Sequence, residues 1–169
     1  MHAGSDVQTL LQQKNILERM YAIKSAQNNI VPFMKMSMPH PVYPDDVTKS
    51  RFVGGWHHDK LAKKLELLEK GVIRRLIVTM PPRHSKSETC TRSFPAWYMG
   101  RNPSSQVLIA GYSETFAQQE FGREIRATMS SDNYCQIFPE CQLDTSGRSA
   151  GFIMTTSKGK MTMTGACGS

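Results

Sequence analysis

A lysine followed by a serine, placed after an apolar segment, is the part of this sequence best suited to chemistry. Residues 80–87 have the sequence Met-Pro-Pro-Arg-His-Ser-Lys-Ser, with the spacing of the phosphate-binding pattern G-x-x-x-x-G-K-[ST]. Lys86 and Ser87 match its last two positions, whereas Met80 and Ser85 replace its two glycines. The match is weak as a string, so its value depends on the surrounding elements.

The chemistry of such a loop is the binding of nucleotide phosphates. Backbone N–H groups of the loop and of the following helix point at the phosphates. The Lys86 ammonium can reach the β- and γ-phosphates, the Ser87 hydroxyl can ligate Mg²⁺, and the Arg83 guanidinium can reach the γ-phosphate from the same chain. Arg83 and Lys86 are therefore the candidate catalytic residues. The candidate nucleotide-binding residues of the loop are Pro82, Arg83, His84, Ser85, Lys86, Ser87 and Glu88.

Two positions of the loop limit this interpretation. Glycine at position 85 would allow a positive φ, and serine in that conformation costs about 1 kcal/mol. We therefore expect a strained loop with reduced affinity for nucleotide. Glu88 suits the first turn of a helix, where an acid complements the helix dipole, better than it suits catalysis. The alternative for the whole segment is a basic turn with Arg83 and Lys86 in solvent.

The elements that must position the loop are a strand before it and a helix after it. Arg75–Met80 is an apolar run with β-branched residues and predicts a buried parallel strand. A helix is predicted from Ser87 to about Met99, kinked by Pro95 and closed by Gly100. A second buried strand is predicted at Gln106–Ala110.

The rest of the chain alternates in the same way. Helices are predicted at 6–26, at 58–70 with Gly71 as C-cap, and over about eighteen residues from Ser113 and Glu114. Irregular segments are predicted at 27–55 and 130–148, and a hairpin at 150–156 and 160–165 with a turn at 157–159. This order predicts an α/β layer fold with a parallel sheet.

Positive charge is concentrated around the loop. The chain of 169 residues has a formal net charge of +7, and residues 60–101 hold ten basic and three acidic residues, which accounts for the whole excess. Such a concentration indicates a polyanionic partner, either nucleotide phosphates or nucleic acid. The alternative is a solvated helix face carrying Lys60, Lys63 and Lys64.

The cysteines and the apolar runs indicate a cytosolic type of protein. Cys90, Cys135, Cys141 and Cys167 form no Cys-x-x-Cys pair, which favours reduced thiols over a zinc site or a disulfide framework. No segment has the length and apolar character of a membrane span, and the first ten residues do not have the pattern of a signal peptide.

On these residues the sequence resembles the large terminase subunit of tailed bacteriophages, over about 57–168 and more faintly from Leu17. The Pro-Pro-Arg-His-x-Lys-Ser form of the loop is the most specific match. The other matching stretches are His57-His58, Arg75–Met80, Gln106–Ser113, Ala117–Arg126, Ile137-Phe-Pro139 and Thr164-Gly165.

The resemblance implies an ATPase that packs double-stranded DNA into a procapsid. It implies a phosphate-loop NTPase fold of the RecA-like type, a three-layer sandwich with a mainly parallel sheet. ATP and Mg²⁺ would be the cofactors, with Arg83 as the loop arginine, Lys86 as the loop lysine and Ser87 as the Mg²⁺ ligand. The segment Trp56–His58 would help to hold the adenine, through Trp56 and His58 as candidate residues. The alternatives for these two are a core aromatic and an exposed helix cap.

Further implications concern the whole motor. Its partners would be double-stranded DNA, the portal protein and the small terminase subunit, within a homo-oligomeric ring in the cytoplasm of the infected host. Residues 1–55 would form a lead-in and 56–169 part of an ATPase domain, without the nuclease domain. The acidic strand that activates water in the family follows the Thr164-Gly165 position, so we expect this chain alone to lack hydrolysis. Arg101, Arg123 and Arg126 are candidates for an arginine acting on a neighbouring subunit.

Two other functions remain open from the sequence. A helicase-like motor would share the loop and differ in its strand-binding residues. A non-catalytic nucleic-acid-binding fragment would use the basic segment and ignore nucleotide.

Overall fold

A computed structural model describes residues 3–144 and 151–166, with the backbone alone for residues 3–6. The helices are α1 (Ala3–Asn28), α2 (Ile30–Ser37), α3 (Trp56–Glu69), α4 (Phe94–Arg101), α5 (Glu114–Phe116), α6 (Arg123–Met129) and α7 (Asp132–Ile137), with a 3-10 turn at Val47–Lys49. The strands are β1 (Gln106–Gly111), β2 (Phe152–Met154) and β3 (Lys160–Gly165). Cys167, like residues 145–150, lies outside the described residues.

The three strands form one mixed sheet in the order β1-β3-β2. β1 pairs in parallel with β3, from Gln106 opposite Lys160 to Gly111 opposite Gly165. β2 pairs antiparallel with β3, so the predicted second strand and hairpin are both confirmed. Lys158 forms the hairpin turn with a φ of 67°.

One face of this sheet packs on helices and the other is open in the described part of the chain. Ile109, Met161 and Met163 are buried on the covered face. Leu108 points to the opposite face and is 69% exposed, so the prediction that β1 is buried on both faces was wrong. The described residues thus form two layers, whereas a three-layer sandwich covers both faces of its sheet.

The segment before the loop is extended but is not a strand of the sheet, which corrects the prediction for Arg75–Met80. Its backbone makes no backbone hydrogen bond within the described residues. Leu76, Val78 and Met80 pack against the core, while Ile77 on the other side is 93% exposed. A ladder needs a partner strand, and none of the described strands pairs with this segment.

Two helices occur where irregular chain was expected. α2 lies within 27–55 and contains Pro32 in its first turn, where the missing N–H would have no partner in the helix anyway. α7 lies within 130–148 and begins at Ser131, whose hydroxyl accepts the N–H of Tyr134 at 3.2 Å. Phe33 of α2 and Tyr134 of α7 are both buried and contact each other edge to face.

The helix after the loop widens before its proline. A π-helical segment, Glu88–Ser93, precedes α4, and the N–H of Phe94 donates to the carbonyl of Thr89. The wider turn accommodates Pro95, which has no N–H and crowds the preceding turn. Gly100 lies inside α4 and does not close it, since the helix continues to Arg101. Glycine is needed there because a Cβ would overlap the Phe138 ring. A second π-helical segment, Ala117–Gly122, joins α5 to α6.

The core joins the predicted lead-in to the rest of the chain. Ile30, Phe33 and Met34 belong to the same buried cluster as Trp97, Ile125 and Met161. The indole N–H of Trp97 donates to the carbonyl of Ala26 at 3.0 Å, which fixes α4 against the end of α1. Among the helices of the described residues, none has the length and apolar character needed to cross a membrane.

Candidate phosphate-binding site

The loop between the extended segment and the helix is built on two left-handed residues. Arg83 has a φ of 64° and Ser85 a φ of 57°. This is the region that glycine adopts readily and other residues rarely. Ser85 thus has the backbone conformation that the glycine of the phosphate-binding pattern would supply, at a cost in strain.

The helix that follows presents free donors. The N–H of Thr89 donates to the carbonyl of Ser85 at 2.9 Å, which closes the first helical turn. The N–H groups of Lys86, Ser87 and Glu88 have no hydrogen-bond partner among the described residues. Unpaired N–H groups at a helix start carry partial positive charge and bind anions. A left-handed residue directly before them is the turn geometry that gathers such groups into a concave anion site.

A histidine closes the outer part of the loop. His84 Nδ1 donates to the carbonyl of Pro82 at 2.9 Å, which requires the ring proton to be on Nδ1. This bond spans the left-handed Arg83 and holds the turn. The guanidinium of Arg83, the ammonium of Lys86 and the hydroxyl of Ser87 are exposed and have no hydrogen bond or ion pair in the part of the chain that the structure describes.

Glu88 is engaged inside the chain. Its carboxylate Oε2 lies 3.0 Å from Arg92 Nη1, and Arg92 Nη2 lies 3.7 Å from the carboxylate of Glu120. The ion pair favours the interpretation of Glu88 as a first-turn acid. Its place among the nucleotide-binding residues stays a prediction.

The segment Trp56–His58 lies beside the loop. The ring of His57 contacts the ring of His84 edge to face, with centroids 5.9 Å apart. Trp56 is 70% exposed and has Lys60 Nζ 4.8 Å from its ring centroid, so it is a surface aromatic and not a core one. The sequence predicted that this segment contributes to the site through Trp56 and His58. The histidine that contacts the loop is His57, and no local pattern in the sequence distinguishes it from His58.

His58 has a structural role at the start of α3. Its Nδ1 accepts the N–H of Gly55 at 3.0 Å and its ring packs on Phe52, with 5% of the residue exposed. His58 is therefore a buried helix cap, whereas the alternative from the sequence was an exposed helix cap. Burial, and secondly the charge of His57, lower the pKa of His58, while Asp59 opposes the shift. Its contact with a base stays a prediction.

This histidine gives an expected pH dependence of stability. Because the pKa of His58 is lower in the folded chain, the unfolded chain takes up the proton first as pH falls below about 6.5. The free energy of unfolding is then lost progressively from neutral pH toward the folded pKa. We expect His58→Gln, which keeps an acceptor for Gly55, to flatten this loss in denaturant unfolding curves. His40→Gln should leave the loss intact, and an unchanged pH dependence in His58→Gln would contradict the assignment.

The strain at Ser85 gives a second expected result. Ser85→Gly removes a left-handed serine, and we expect the free energy of unfolding to rise by up to about 1 kcal/mol. The larger conformational entropy of glycine in the unfolded chain reduces this gain in stability. Ser85→Val should lower it, because β-branched residues are the least tolerant of positive φ. Thermal unfolding of the three proteins measures both. A valine variant as stable as wild type would show that the loop is not held in this conformation.

Two of the arginines considered for action on a neighbouring subunit are engaged within this chain. Arg101 Nε lies 2.9 Å from Glu69 Oε1, and its Nη1 donates to the carbonyl of Gln27. Arg126 Nη2 donates to the carbonyl of Phe152 at 2.7 Å. Arg123 is exposed and has no partner among the residues described.

A cysteine near the loop was not singled out by the sequence as part of the site. Burial raises the pKa of the Cys90 thiol, and the charge of Lys86 partly offsets the shift. The protonated thiol of Cys90 is thus favoured. Cys90, Cys135 and Cys141 are free, and the described residues contain no group of three His, Cys, Asp or Glu side chains placed to hold a metal ion.

In comparisons with known proteins, no family model, no curated protein and no solved structure matches this chain.

Proposed function

We propose that this chain binds the phosphates of ATP at residues 82–88. The observation that carries the proposal is the set of three unpaired N–H groups at Lys86, Ser87 and Glu88, preceded by Ser85 at a φ of 57°. A serine held in a strained conformation is informative, because strain of this kind is concentrated at ligand-binding sites. The three donors and the exposed Lys86 give a site that matches a phosphate in charge and in hydrogen bonding.

Each side chain of the loop has a role in this proposal. Lys86 neutralises the β- and γ-phosphates as a mobile charge, and Arg83 reaches the γ-phosphate from within the same loop. Ser87 is the residue that would hold Mg²⁺, since its hydroxyl is exposed and has no hydrogen bond in the described residues. A Mg²⁺ ion held there would neutralise part of the phosphate charge. The ring of His57 contacts both His84 of the loop and Trp56, so the proposed place for the base is beside the segment Trp56–His58.

We further propose that the chain is the ATP-binding part of a viral DNA-packaging motor of the terminase type, with a phosphate-loop NTPase fold. The support is the resemblance in the loop and in Gln106–Ser113, together with the parallel pairing of β1 with β3. The whole motor would then couple ATP hydrolysis to movement of double-stranded DNA, as a ring with a portal protein and a small subunit, in the host cytoplasm.

A second candidate function is supported by the exposed basic residues of the segment 60–86. Eight basic residues are exposed and form no ion pair within the described residues. They are Lys60, Lys63, Lys64, Lys70, Arg74, Arg75, Arg83 and Lys86. Such a surface suits the backbone of a nucleic acid. DNA binding that weakens steeply with salt and ignores ATP would favour this function over the first.

The discriminating experiment is a competition series against a fluorescent ATP analogue in the presence of Mg²⁺. A phosphate loop is expected to bind ATP and ADP and to bind AMP and adenosine far more weakly, because the β-phosphate lies in the loop. Equal competition by adenosine and ATP would show that the site recognises the base, and would overturn the proposal. Competition by inorganic triphosphate would identify the phosphates as the recognised group.

A further inference from the structure

The long helix α1 has two different apolar faces, of which the folded chain covers one. Near its end, Ala26 is buried and Ile23 is partly buried against the core. Arg19 is held on the same side, where its Nη2 donates to Asn133 Oδ1 of α7 at 2.6 Å. Residues 7–18 are exposed throughout, so the first half of α1 extends beyond the body of the molecule.

The face toward the body becomes polar in this first half. Gln8, Gln12 and Asn15 precede Arg19 at intervals of four, three and four residues, which places them on the same side of the helix. The opposite side carries Val7, Leu10, Lys14, Leu17 and Tyr21, which we call the α1 seam. Leu17 is 65% exposed and Tyr21 is 78% exposed. A helix that packed only on the core of its own chain would have apolar residues on the side facing the body and polar residues on the opposite side.

The spacing of the seam is that of a coiled coil. Its residues follow one another at intervals of three, four, three and four, an average of 3.5 residues. This period keeps the seam facing a second helix in a left-handed supercoil. Since α1 is a single helix and the described part of the chain leaves this face uncovered, the seam is suited to pairing with another helix of the same kind.

The charges on the seam select the arrangement of the two helices. Lys14 lies on the seam and its Nζ is 3.6 Å from Glu18 of the same chain, with both side chains about two-thirds exposed. In a parallel pair, Lys14 would face Lys14 of the second copy. In an antiparallel pair with its twofold axis between residues 15 and 16, Lys14 packs opposite Leu17 and beside Glu18 of the second copy. Leu10 then lies opposite Tyr21.

We propose that two copies of this chain associate through the α1 seam as an antiparallel, twofold-symmetric dimer. The interface is isologous, so each seam residue is used twice, and it contains two Lys14–Glu18 pairs between copies. A seam of five residues per chain is small, on the order of 1,000 Å² in total or less, so the dimer is reversible with a dissociation constant of roughly 10 µM or weaker. This association uses none of the phosphate-loop residues.

Sedimentation velocity of the full chain, from roughly 5 µM to 1 mM, measures the association over the range expected for such an interface. We expect a concentration-dependent monomer–dimer equilibrium in the wild type. Leu17→Lys should leave a monomer, because it sets a second ammonium opposite Lys14 of the other copy. Gln12→Lys, on the polar side of the same exposed half-helix, should dimerise like the wild type. Circular dichroism shows whether each variant keeps its helix content.

A charge swap tests the antiparallel arrangement itself. Lys14→Glu should weaken the dimer by about tenfold or more, because it sets carboxylates at 14 and 18 against each other across the interface. The double variant Lys14→Glu, Glu18→Lys should restore the wild-type affinity. A monomeric wild type at every concentration, a dimer that survives Leu17→Lys, or a double variant as weak as Lys14→Glu would each overturn the proposal.

Discussion

Replacement of Lys86 by alanine is expected to raise the dissociation constant for MgATP by roughly 10- to 100-fold, because a charge-assisted contact contributes about 1.5–3 kcal/mol. Lys86 is exposed and has no ion-pair partner within the described residues, so its loss should leave the fold intact. Isothermal titration calorimetry with a non-hydrolysable ATP analogue gives the affinity of both proteins.

The matched control for this variant is Lys63→Ala. Lys63 is another exposed lysine of the same basic segment, and it lies on α3, away from the loop sequence. If ATP is attracted by the basic surface in general, both variants should weaken binding to a similar extent. If Lys86 acts within a phosphate loop, Lys63→Ala should bind like the wild type. Equal binding by the wild type and Lys86→Ala would remove the proposed role of this lysine.

Replacement of Trp97 by alanine is expected to cost about 3–5 kcal/mol of unfolding free energy, as for other large aromatic residues removed from a core. Trp97 is fully buried, and its indole N–H donates to the carbonyl of Ala26. The substitution therefore leaves a cavity between α4 and the end of α1, and an acceptor without its donor. For a chain of this length the melting temperature should fall by roughly 6 to 20 °C in a thermal scan.

Trp97→Phe separates the two parts of this effect. The phenyl ring fills part of the volume but cannot donate to Ala26, so we expect a smaller loss of about 1–3 kcal/mol, mainly from the unpaired carbonyl. Substitution of the exposed Trp56 by alanine gives the control for loss of a tryptophan as such, and should change stability little. A Trp97→Ala protein that melts with the wild type would show that α4 is not anchored on α1 in this way.

The sequence predicted correctly those structural features that depend on interactions between residues close together in the chain. The hydroxyl of Ser113 accepts the N–H of Phe116 at 3.2 Å and starts the predicted helix, and Gly71 has the left-handed φ of 69° expected of a C-cap. The lysine and serine of the loop likewise predicted a helix start at the correct place. These features depend on neighbours within four residues, which a sequence shows directly.

Features that depend on distant parts of the chain were not predictable in the same way. The apolar run Arg75–Met80 has the composition of a strand, but a strand forms only beside a partner, and no described strand pairs with it. The irregular segment predicted at 27–55 contains α2, because Pro32 lies in the first turn of this helix and disrupts no helical hydrogen bond there. His58 could be named as a site residue from its position, but its burial follows from packing against Phe52.

The most direct test of the central claim is the response of backbone amides to nucleotide in two-dimensional ¹H–¹⁵N spectra of the labelled chain. The account predicts that MgATP shifts the amide signals of Ser85, Lys86, Ser87 and Glu88 most strongly, because these N–H groups receive the phosphates. ADP should produce the same pattern, and adenosine should not. Saturation with MgATP that leaves these four signals in place, or shifts only signals elsewhere in the chain, would contradict the assignment of this loop as the phosphate-binding site.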